Sequence, residues 1–110
     1  MRQPDYPAGN TDLLERFVVD ALKAGHLAAE GHRVVGRYVM ETRLPLVRCP
    51  TLVIAPAADP HAHPVAGKVT AAIAGAELTE IPGGMVPFPD QMPDVFAATT
   101  LGFLDRIMRR

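Results

Sequence analysis

Residues 51–56, TLVIAP, constrain the fold of this chain more than any other segment. They form a short apolar run rich in β-branched residues and bounded by Pro50 and Pro56. β-Branched side chains lose rotamer freedom in a helix and pack well on a pleated surface, so the run predicts a strand. It has no polar alternation. A strand apolar on both sides belongs inside a parallel sheet with both faces covered. Such a sheet needs crossover helices, which places the chain in the α/β class.

The residues beyond Pro56 support that class. AADPHAHP, residues 57–64, reads as a loop, because Asp59 and His63 each precede a proline and are steered away from helical angles. Pro64 suits the first position of a helix, lined on one side by Val65, Val69, Ala72 and Ile73 and ended by Gly75. AELTEI, residues 76–81, reads as a second, more polar strand nearer a sheet edge. A glycine turn and a proline-rich loop come next in IPGGMVPFPDQM. Pro93 and Asp94 then open a last helix, with Val95, Phe96, Thr99, Phe103, Leu104, Ile107 and Met108 expected to face the core. Two strands joined by a helix should lie parallel with a right-handed crossover. Two parallel strands alone make a poor sheet, so this one should form part of a larger sheet or be completed by another chain.

Residues 1–10 read as a loop. Thr11 or Asp12 can cap a first helix carrying Leu13, Leu14, Phe17, Val18, Ala21 and Leu22 at helical spacing, and Gly25 can close it. A second helix is expected over about 28–42, with Val34, Val35, Tyr38 and Val39 as its apolar stripe and Gly31 and Gly36 weakening it. RLPLVRCP then breaks the helical pattern. The organisation is thus 1–43, a loop and two helices, and then 44–110, a β-α-β-α unit.

Composition narrows the function classes. The chain has 110 residues, is 48% hydrophobic and carries a formal charge of −1. One small globular domain fits those values, and there is no electrostatic reason to expect nucleic acid or an anionic membrane as partner. No signal peptide or membrane-length apolar run is evident, so a cytoplasmic setting is the expectation. Arg106, Arg109 and Arg110 suit the C-terminal end of a helix dipole. Cys49 is the one cysteine, which rules out an intramolecular disulfide, and it is expected to act as a small buried hydrophobe. There is no serine in the sequence.

Taken in order, RLPLVRCPTLVIAPAADPHAHP, AAIAGAELTEIPGG and MPDVFAATTLGFLDR resemble the C-terminal third of α/β-hydrolase-fold proteins, over roughly residues 43–106. That resemblance implies a partial hydrolase-like sheet, with the first two helices in the place of cap helices. The implied reaction is acyl transfer to water by a serine, an acid and a histidine in that chain order. Asp59 matches the acid's position at the exit of the TLVI strand. The histidine's slot, after the PGG turn, falls on Met85 or Val86, and His63 is the last histidine in the sequence. The resemblance therefore implies a C-terminal portion, truncated and catalytically incompetent by itself. Small esters or acyl compounds become substrates only if an N-terminal half supplies the serine.

Bland alternatives stand beside each candidate. Asp59 also suits a simple Asp-Pro turn. Asp59, His61 and His63 offer one carboxylate and two imidazoles two residues apart, the makings of a small metal-binding domain; without a distant third ligand they form a weak site. His26 and His32 suit helix-end or surface positions. Gly83 and Gly84 could admit a ligand or merely supply a turn. Met85, Val86, Phe88 and Met92 could line an acyl pocket or fill the core. No cofactor motif is present. A non-enzymatic alternative is an interaction module whose open sheet edge drives homo-oligomer formation or pairing with another protein.

Overall fold

The computed structural model describes residues 6–109. α1 spans Thr11–Ala24 and α2 spans Ala28–Arg37, joined by a 3-10 turn at Gly25–Leu27. Two further 3-10 turns, Met40–Thr42 and Leu44–Leu46, lead into β1 at Leu52–Pro56. Then come α3 at His63–Ala72, β2 at Glu77–Ile81, a single-turn α4 at Phe88–Gln91 and α5 at Pro93–Met108. The fold is α/β.

β1 and β2 pair in parallel, with Leu52 opposite Glu77 and Pro56 opposite Ile81. α3 forms the crossover between them and packs on both strands. β2 alternates between half-buried and exposed positions before ending on buried Ile81, as an edge strand should. β1 is buried at Ala55 and Pro56 but only half-buried at Leu52, Val53 and Ile54. The burial expected on both sides is therefore incomplete; among the described residues the two-stranded sheet gives β1 a hydrogen-bonded neighbour on one edge alone.

Both N-terminal helices form, with different ends from those expected. Asn10, rather than Thr11 or Asp12, caps α1, its Oδ1 accepting from the Leu13 N–H at 3.2 Å. Gly25 closes the helix at φ +54°, a left-handed value that a side chain would strain. α2 ends at Arg37, short of 42, where Tyr38 turns extended. Two glycines and a run of β-branched residues give this segment too little helical propensity to continue. Its expected apolar stripe is not buried: Val34, Val35, Tyr38 and Val39 all face solvent, Val35 at 75% exposure. On α1 only Leu13 is buried, whereas Phe17, Val18 and Leu22 are exposed.

In the second half, α3 presents Ala66 inward while Val65 lies exposed, and Ile73 is buried just past the helix end. On α5, Phe103 is buried and Thr99 and Ile107 are half-buried. Val95, Phe96, Leu104 and Met108, expected inward, are exposed. Cys49 is exposed too, contrary to expectation. Arg106 sits in the last turn of α5 and ties that helix to β2 through Glu77 at 2.6 Å.

The shape reflects these exposed faces. The radius of gyration is 15.9 Å, against about 13 Å for a compact domain of this length. The chain exposes 8106 Å², where a compact monomer of this mass exposes about 5,900 Å².

The close packing that does occur concentrates where the two strands end. A Cβ built on Gly84 would lie 2.9 Å from Pro56 Cβ and 3.1 Å from its Cα. Backbone and a rigid ring cannot yield easily there, so Gly84→Ala should cost about 1–3 kcal/mol. Denaturant unfolding should show it as a lower midpoint, whereas Gly36→Ala, with open space around it, should hold or raise the midpoint.

Candidate functional site

The C-terminal edge of the sheet, from which β1 and β2 both deliver loops, is where an open α/β sheet presents its chemistry. Parallel pairing fixes the two exits side by side, and the backbone continues the match past the strands. The Ala57 N–H donates to the Ile81 carbonyl, and the Ala58 N–H donates to the Gly84 carbonyl, each at 2.9 Å. Asp59 comes directly after the second of these bonds, and Met85 comes directly after Gly84 in the other loop. The structure thus brings the acid's loop and the PGG loop together.

Asp59 is half-buried. Its Oδ1 accepts from the His61 N–H at 2.8 Å and from the Ala62 N–H at 3.0 Å. Its own carbonyl accepts from the His63 N–H at 3.2 Å. A carboxylate bonded to the amides two and three residues on closes a turn, here just ahead of α3. Asp59 therefore performs the plain structural role of an Asp-Pro turn, whatever else it does.

His63 opens α3, and its Nε2 lies 2.8 Å from Oε1 of Glu80, which reaches across from β2. Both side chains are substantially exposed, so this pair contributes at most about 1 kcal/mol to stability. Among the described residues, no group of three or more His, Cys, Asp or Glu comes together to hold a metal ion. His26, in the 3-10 turn, and His32, in α2, are exposed.

The loop after β2 is more ordered than its prolines and glycines suggest. Gly83 takes φ +73°, supplying the left-handed turn. Gly84 provides the close approach of this loop to Pro56. The helical turn α4 lies outside what the sequence pattern predicts. It places Gln91 so that its Oε1 accepts from the Met85 N–H at 2.6 Å and its Nε2 donates to the Gly83 carbonyl at 3.0 Å. Sequence reasoning misses Gln91, because a glutamine eight residues beyond a turn carries no periodic signal.

Of the four residues offered as a pocket lining, Phe88 is buried and meets Phe96 edge-on at 5.9 Å between centroids. Met85, Val86 and Met92 are half-buried. Phe88 fills the junction of α4 and α5. At Met85 and Val86, where the resemblance would set a histidine, neither side chain can carry a proton.

Two substitutions separate turn from chemistry. Asp59→Asn keeps the accepting oxygen and should leave stability within about 0.5 kcal/mol, while Asp59→Ala should cost about 1 kcal/mol. Denaturant titration of the three proteins checks this. Gln91→Ala should speed hydrogen exchange at the Met85 amide about fivefold to tenfold, the effect of losing a bond worth roughly 1 kcal/mol.

No protein-family model, curated protein or solved structure matches this chain.

Proposed function

We propose that this chain is a non-catalytic, α/β-hydrolase-like interaction module whose sheet is completed by another polypeptide. The observation that carries the reading is β1. It is the more apolar of the two strands, yet Leu52, Val53 and Ile54 are only half-buried and, among the described residues, one of its edges is unpaired. The hydrolase-like part of the reading draws support from the parallel order of β1 and β2, from Asp59 at the exit of the first, and from the PGG turn bonded beside it.

Chemistry argues against turnover by these residues. Acyl transfer through a triad needs a nucleophile, a base within reach of it and an orienting acid. The sequence has no serine, and Met85 and Val86 stand where the base belongs. His63, at the start of α3, faces Glu80. A cytoplasmic setting goes with this reading, since the exposed thiol of Cys49 stays reduced there. No helix among the described residues is long and apolar enough to cross a membrane.

Short-chain nitrophenyl ester hydrolysis tests the absence of catalysis. The rate should match buffer and should not change with Asp59→Ala. Turnover that Asp59→Ala abolishes would refute the reading. Sedimentation or light scattering tests the interaction half. A strictly monomeric species that melts cooperatively would mean the sheet needs no partner.

A further inference from the structure

The helical arm ahead of the sheet is bare. From Glu15 to Arg43 every residue is exposed, and these include Phe17, Val18, Leu22, Val34 and Val35 at 41% to 75%. Their spacing gathers Leu14, Phe17, Val18, Ala21 and Leu22 on one side of α1, and Ala28, Gly31, Val34 and Val35 on one side of α2. α2 has 10 residues, two of them glycine, and a helix shorter than about 12 residues is marginal without packing. The arm therefore calls for cover. The surface exposed beyond that of a compact monomer, about 2,200 Å², lies largely on α1, α2 and the segment after α2.

The two apolar sides match each other. With α1 and α2 antiparallel and Val18 level with Val34, Leu14 comes level with Tyr38, Phe17 with Val35, and Ala21 with Gly31. Large side chains meet large ones, and the small pair lets the helix axes approach; a Cβ on Gly31 would meet nothing within 4 Å in the single chain. α1 runs from Asp12 in its first turn to Lys23 in its last, and α2 from Glu30 to Arg37. Antiparallel helices thus set acidic ends beside basic ones. We infer that this arm is a self-association site on which a second copy lays its own arm, α1 against the other copy's α2 and α2 against the other's α1. The arm is a different surface from β1, and the inference does not rest on the reading above.

Geometry, area and charge select a second copy as the occupant. A two-fold axis along the difference between the two helix directions makes each helix antiparallel to the other helix of the second copy, whatever the angle between them, and the interface is isologous. The Gly25–Leu27 turn needs no change for this, since it runs directly into α2 with Leu27 and Ala28 in the helical region. Folding α2 back on its own α1 would require that turn to be rebuilt. Each partner in a standard interface buries roughly 800 Å², well within the surplus. Residues 11–43 carry five acids and five bases, so two arms do not repel, and neither an anionic membrane nor nucleic acid is drawn to them.

Light scattering over a concentration series should show a dimer, weakened about tenfold or more by Val35→Asp, which sets a carboxylate in an apolar interface. Val35 is 75% exposed in the single chain, so that substitution leaves the monomer's packing alone. Cross-linking reports the arrangement independently. Val18→Cys and Val34→Cys, made separately together with Cys49→Ala, are mixed and oxidised, and mass spectrometry identifies the disulfide-linked pair. A pair joining one variant to the other supports the inference. Variants linked only to their own kind, or a dimer that Val35→Asp leaves intact, overturn the exchange of α1 and α2. A wild-type monomer overturns the second copy, and an intrachain disulfide in a chain carrying both Val18→Cys and Val34→Cys then assigns the cover to the chain's own α2. The β1 reading is tested apart from this, on the Val35→Asp monomer. Cooperative melting there refutes the need for a sheet partner and leaves the arm inference standing.

Discussion

The parallel pairing of β1 with β2 is the constraint on which the rest of this structure hangs. It fixes α3 as the crossover, since parallel neighbours cannot be joined by a tight turn. It sets the two strand exits side by side, and the bonds from Ala57 to Ile81 and from Ala58 to Gly84 carry that proximity into the loops. The absence of a side chain at Gly84 lets the second loop lie directly on Pro56. Asp59, the PGG turn and the start of α3 owe their relative placement to this one junction.

Away from the junction the packing thins out. Leu13, Ala55, Pro56, Ala66, Ile73, Ile81, Phe88 and Phe103 are the buried apolar side chains among the described residues. Most are small or lie in the second half, and α2 contributes none. Burial of apolar surface is the main favourable term in folding, and conformational entropy opposes it at similar size. A 110-residue chain with this little interior has reason to recruit apolar surface from elsewhere. The exposed faces of α1 and α2 and the half-covered β1 are of one kind in that respect.

The sequence carries much of this. TLVIAP announces a strand because β-branched residues between prolines leave little else to form, and AELTEI announces an edge strand through its polarity. Gly25 and Pro93 mark helix boundaries by their backbone limits alone. Which apolar residues find a partner is not legible in the same way. Val34, Val35, Tyr38 and Val39 have helical spacing and stay exposed, and periodicity records a face without recording its neighbour. Asp59 illustrates the same gap at the candidate site. An Asp before proline after a strand suits a catalytic acid and a turn equally, and only its bonds to the His61 and Ala62 amides display the turn. Gln91 is invisible in the sequence because its partners lie on a loop whose path no local pattern encodes.

That glutamine has a consequence for how the edge of the sheet meets anything that approaches it. By bridging Gly83 and Met85 it cinches the segment between β2 and α5 into a preformed knuckle, held by this chain's own atoms. A visitor finds its contour settled in advance and gives up little ordering entropy in accepting it. Any recognition at this edge would then depend on fit to that relief, not on a flap folding over its guest.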